Sequence, residues 1–99
     1  MHALAQREVG GPLVDVALPE PTDLADTEVL VEVDTCSLCH SDLHLLDGDW
    51  GTLARPFVPG HEIIGRVASA GALAPAVFSH GMRVGIGWQS GACGANGCI

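Results

Sequence analysis

The 99 residues carry 12 acidic against 4 basic side chains, a formal charge of −8, at a mean hydropathy of +0.33. So short a chain suits one domain burying roughly 60–65% of its unfolded surface, and its negative charge repels phosphate backbones and anionic headgroups, which argues against nucleic acid and membrane surfaces as partners. Aromatic bulk is confined to 2 Trp and 2 Phe, the composition of a domain that relies on a neighbour to cover part of its surface.

The opening MHALAQREVGGP shows no basic start followed by an apolar run, so no secretory leader is read and a cytoplasmic location is expected. No stretch is long and apolar enough to span a bilayer. In a reducing compartment Cys36, Cys39, Cys93 and Cys98 are thiols or metal ligands rather than disulfide partners. Residues 2–7 and 13–18 read as two strands joined by a turn at Gly10-Gly11-Pro12. After the loop PEPTDLAD, the segment EVLVEVDTC alternates acidic and apolar residues, the period of a half-buried strand. Ser37 to Leu46 suits a short helix. GDWGTLARPFVPG is a loop punctuated by Gly48, Gly51, Pro56, Pro59 and Gly60, and EIIGRVASAG and MRVGIGW read as further strands interrupted by glycine, the pattern of bulged, curved β structure. The expectation is a small, mainly β domain.

Between the third strand and the helix lies C-x-x-C-H, Cys36 to His40, a string compatible with c-type haem attachment, a redox dithiol or part of a zinc site. A haem electron carrier calls for long helices with a 3.6-residue period, which the chain lacks, and a thioredoxin-like dithiol calls for a long helix after Cys39. Zinc explains more residues. Cys39 and His61 each stand next to a turn and offer thiolate sulfur and imidazole nitrogen. Asp42 and Glu62 stand beside them in sequence, as do the carboxylates that orient ligating imidazoles. Two ligands remain too few on spacing alone.

CHSDLH followed by GDW, then VPGHEIIG, resembles the zinc-dependent alcohol dehydrogenases of the medium-chain family, within them the cinnamyl-alcohol-dehydrogenase-like group, and GHE-x-x-G is the most specific of these pieces. The match runs over residues 1–88. The resemblance implies a GroES-like, partly open β-barrel with short helices, the catalytic domain that a complete enzyme follows with a Rossmann domain binding NAD or NADP. It implies Cys39 and His61 as zinc ligands, Glu62 as a carboxylate close behind the metal, and Asp42 as a carboxylate turned toward His61. Ser41 would receive the alcohol proton and His44 would end the relay. His40 would contact the cofactor pyrophosphate, and Trp50 would wall the pocket for an alcohol or aldehyde. Cys36 would be a buried thiol at the strand end without a ligand role. In such a site, zinc with an open position acidifies a bound hydroxyl.

Plainer roles compete for the same residues. Ser41 can cap the helix, His44 can be an exposed helix residue and Trp50 a core residue; Asp47 and Asp49 suit a solvated turn, and His2 and His80 the surface. GIGWQSG has the spacing G-x-G-x-x-x-G with no helix to follow, so it is not a phosphate loop. The resemblance also breaks down in places. The third catalytic ligand and the dinucleotide domain would fall beyond residue 99, which makes the catalytic ligand set incomplete. Residues 89–99 are a disrupted start of the structural zinc lobe: Cys93 fits its first position, Asn96 and Ile99 occupy the next two, and Cys98 is out of step. No structural zinc is expected, and the 99 residues alone are expected to be inactive. The alternative is a non-enzymatic remnant or weak metal-binding domain. Relatives of this kind are usually homo-oligomeric.

Overall fold

The computed structural model describes residues 1–89. Strands β1 (His2–Gln6) and β2 (Leu13–Ala17) pair antiparallel as one sheet, while β3 (Val29–Cys36), β4 (Ile63–Ala70) and β5 (Arg83–Ile86) form a second antiparallel sheet in the order β3-β4-β5. The single α-helix among the described residues is α1 (His40–Asp47), between β3 and β4. Five strands and one short helix stand where the hydrophobic period and the glycine and proline punctuation place them. The sheets stay open and do not close a barrel, and a lone bridge between Gln6 and Phe57 joins β1 to the loop before β4.

Glycine sets how closely β3 and β4 approach. A Cβ at Gly65 would meet Val31 Cγ1 at 2.6 Å, so only a residue without a side chain lets the strands pair there. The ladder carries two register shifts, at Leu30/Val31 and Val33/Thr35, which are the bulges that the glycine-interrupted pattern implies.

The helix begins at His40 rather than Ser37, because the preceding residues remain extended up to an N-cap at Cys39 with φ −120° and ψ 152°. Its cap comes from Asp42, whose Oδ2 accepts the Cys39 backbone N–H at 3.0 Å while the Asp42 N–H returns to the Cys39 carbonyl at 3.0 Å. Ser41 is inside the helix and does not cap it. At the other end Gly48 takes the left-handed conformation, φ 76°, and the Asp49 N–H bonds back to the His44 carbonyl at 3.0 Å.

The core is thin. Among the described residues Ala5 and Val67 are its fully buried apolar residues, and the largest fully buried side chain is polar, that of Gln6. Gln6 Nε2 donates to the carbonyls of Gly11 at 3.0 Å and Leu46 at 2.9 Å, and its backbone pairs with Phe57 in both directions. One side chain thus ties the β1–β2 hairpin to the end of α1. No helix among the described residues is long and apolar enough to cross a membrane. Cys93, Cys98, Asn96 and Ile99, on which the structural-zinc expectation rests, lie outside the described residues.

Candidate metal centre and cleft

Cys39 and His61 meet because of the β3–β4 register. Cys36 at the end of β3 is opposite Ile63 at the start of β4, and the Ser37 N–H extends the pairing with a 2.9 Å bond to the Glu62 carbonyl. Residues just beyond that end of the sheet therefore face one another whatever their distance in sequence. Cys39 Sγ, a ring nitrogen of His61 and a carboxylate oxygen of Glu62 all lie within 4.8 Å of one another. Cys39 and His61 are half-buried and Glu62 is exposed.

Asp42 lies behind this group, 2% exposed, with Oδ1 3.2 Å from His61 Nδ1. The contact is close enough for an ion pair but is not aligned as a hydrogen bond, and among the described residues Oδ1 has no hydrogen-bond partner. With Nδ1 turned to the carboxylate, Nε2 is the ring atom available to a metal. Electrostatics favour the ligating form of the thiol: the Ser41 backbone N–H, then the His61 ring and the Ser41 hydroxyl, hold Cys39 below its ordinary value of 9.0, against the opposing pull of desolvation. His61 is raised above 6.5, first by Cys39 and further by the charges of Asp42 and Glu62, although desolvation opposes this. Each of the two side chains thus favours the charged form of the other.

A cavity of about 1140 Å³ opens on the group, lined by Cys39, Ser41, Trp50, Phe57, His61 and Ile86 among others. Trp50 belongs to its wall and not to the core, being 62% exposed. His44, in the last turn of α1, stacks on the Trp50 indole with centroids 4.9 Å apart, and His40 meets it edge-on at 5.0 Å. His40 itself is exposed at the first helical position.

Two expectations need correction. Cys36 is exposed, not buried, because the outer half of β3 from Glu32 onward is uncovered among the described residues. Its sulfur nevertheless packs on Gly60, where a Cβ would lie 2.5 Å from Sγ. Asp49 is exposed in the turn as expected but is not merely solvated: its Oδ2 lies 2.9 Å from His44 Nδ1. The signal available for that pair was Gly48, whose left-handed turn sends the chain back along the helix.

Small open antiparallel sheets present a thiol, an imidazole and a carboxylate at one sheet end, beside a partly apolar cleft, a donor group that could hold a metal ion. Residues 25–98 match the alcohol dehydrogenase GroES-like domain family, and the chain belongs to that family. It is 45% identical over 93 residues to an aldehyde reductase, AdhA, of Synechocystis, and 44% identical over 68 residues to a probable cinnamyl alcohol dehydrogenase, 8B, of Oryza sativa subsp. japonica. These alignments take in 94% and 69% of the chain but 27% and 15% of those proteins. Among solved structures, a cinnamyl alcohol dehydrogenase of Sorghum bicolor superposes with a TM-score of 0.80 at 34% identity, over 93% of this chain and 26% of that one. The fold also matches an enzyme described as CAD from Helicobacter pylori, complexed with NADP(H), with a TM-score of 0.85 at 24% identity, over 98% of this chain and 28% of that one. The chain spans about a quarter or less of the length of these proteins.

Proposed function

We propose that the chain is the site-bearing N-terminal part of a zinc-dependent oxidoreductase that interconverts alcohols and aldehydes with NAD(P). The observation that carries this reading is the convergence of Cys39, His61 and Glu62 within 4.8 Å beside the cleft. Thiolate, imidazole and carboxylate are a donor set that zinc accepts. The buried Asp42 Oδ1, with no aligned partner of its own, fits as well, since a carboxylate behind a ligating imidazole fixes the ring's tautomer and raises its basicity. Cys39 and His61 would hold the ion with Glu62 close behind it, and a further ligand would come from sequence beyond these 99 residues, as would the dinucleotide-binding domain. When bound, zinc supplies Lewis acidity that makes an alcohol hydroxyl easier to deprotonate.

The chain's own residues then manage the proton and the substrate. Ser41 lines the cleft, where its hydroxyl can accept that proton as it passes its own outward. His44, whose Nδ1 is engaged by Asp49, can receive it at Nε2. His40, at the first turn of α1, is suited to the anionic part of the cofactor because backbone N–H groups there favour negative charge. Trp50 and Phe57 give the wall an aromatic surface for the carbon body of the alcohol.

Cobalt(II) titration of the 99-residue chain tests the reading. A near-ultraviolet thiolate-to-metal absorption should develop only with excess cobalt, because the ligand set is incomplete, and be absent in Cys39→Ser. An equal band in that variant overturns it. The 99 residues alone are not expected to reduce NAD(P) with an alcohol, and turnover after zinc loading would overturn that part.

A further inference from the structure

His44 is contacted on three sides, and one contact comes from the cleft wall. The Trp50 indole faces the imidazole at 4.9 Å with the planes inclined by 24°, close to an offset stack. His40 approaches the ring edge at 5.0 Å and 70°, and Asp49 Oδ2 takes Nδ1 at 2.9 Å. The stack fixes the plane of the ring and the carboxylate fixes which nitrogen carries the hydrogen. Among the described residues no hydrogen bond engages the other ring nitrogen, Nε2.

We infer that Trp50 is a positioning residue for His44, so that one indole sets both the wall of the cleft and the orientation of the imidazole. The inference rests on the proposed role of His44 as proton acceptor. Trp50 does not owe its position to burial, because 62% of it is exposed while it lines the same cavity as Cys39 and Ser41. Local geometry brings it there: the left-handed turn at Gly48 folds Asp49 and Trp50 back over the last turn of the helix, putting the carboxylate and the indole on His44 together. A substrate body that presses on the indole therefore presses on the imidazole as well. Changes at Trp50 should alter which alcohols fit and how readily their proton is taken up, two properties that a simple wall residue would leave separate.

Nuclear magnetic resonance of the labelled 99-residue chain tests this without metal or turnover, so its outcome is independent of whether the chain proves to be a dehydrogenase. In the wild type the His44 ring protons should be displaced upfield by the indole, and long-range ring nitrogen spectra should show the Nδ1–H form. Trp50→Phe should keep most of the displacement, and Trp50→Ala should lose it and mix the two tautomers. Asp49→Ala should lose the tautomer preference and keep the displacement. The Val67 methyl and Gln6 amide signals report on the fold. His44 signals that stay put in Trp50→Ala, with those controls unchanged, overturn the inference. If the controls move, the decision falls on the wild type, where the absence of nuclear Overhauser contacts between the indole and the His44 ring overturns it.

Discussion

Asp42 Oδ1 lies 3.2 Å from His61 Nδ1, and the Asp42 side chain is 2% exposed. The carboxylate's other oxygen closes the N-terminus of α1 on Cys39. A single buried acid thus joins the helix start at Cys39 to the turn at His61, and a polar group removed from water is tolerated only where such partners are close.

Replacing Asp42 should therefore cost both stability and affinity. Asp42→Ala leaves the Cys39 N–H without its cap and His61 without its carboxylate, a loss of about 1–3 kcal/mol on the scale of a broken buried hydrogen bond and a lost cap. Divalent metal affinity should fall roughly 10–100-fold, the usual effect of deleting the group behind a ligating imidazole. Urea unfolding and cobalt titration measure the two effects, and unchanged affinity would remove Asp42 from the site.

The ionisation of Cys39 and His61 should be reciprocal. Cys39 is lowered from 9.0, so the stability it contributes is full above that value and is lost as pH falls through its folded value. His61 is raised from 6.5, so its contribution is full below that value and is lost as pH rises through its folded value. Iodoacetamide should accordingly alkylate Cys39 at a lower pH than an ordinary thiol, and His61→Ala should move that profile upward. An unmoved profile would mean that the imidazole does not act on the sulfur. Metal uptake should weaken toward acid, where protons compete for both donors.

Gly60→Ala should damage the site from one residue away. Gly60 has φ 129°, a conformation that residues with side chains rarely adopt, and a Cβ there would lie 2.5 Å from the Cys36 sulfur. A loss of roughly 1–3 kcal/mol is expected from the backbone conformation alone, and the displaced His61 should distort the cobalt spectrum. Adding Cys36→Ala should recover only the steric part, as thermal melting would show. Full recovery would mean that backbone conformation is not at issue.

Gln6→Leu tests the link between the hairpin and the helix. The variant keeps an apolar body but withdraws the amide from the Gly11 and Leu46 carbonyls. Stability should drop by about 1–3 kcal/mol, and hydrogen exchange should quicken at Gly10, whose N–H also bonds to Leu46 at 3.0 Å. Exchange unchanged at Gly10 would show that the helix end holds its place without Gln6.

Much of this protein was legible in one dimension. The alternation in EVLVEVDTC, the glycines of EIIGRVASAG and the turn at Gly10-Gly11-Pro12 place the strands, because side-chain period and backbone freedom are local properties. Donor types are also local, so Cys39, His61, Asp42 and Glu62 are legible in the sequence as candidates. Their convergence was not local. It depends on a register with two bulges that sets Cys36 against Ile63, and register is settled by pairing between distant strands. The same holds for Cys36, whose exposure depends on what covers β3, for Gln6, a polar residue buried because two distant carbonyls need a donor, and for Trp50 and Asp49, which meet His44 only after the turn at Gly48 reverses the chain. Sequence determined which atoms can do chemistry here, and tertiary structure decided which of them share a point in space, because proximity across a fold is a property of the packed whole.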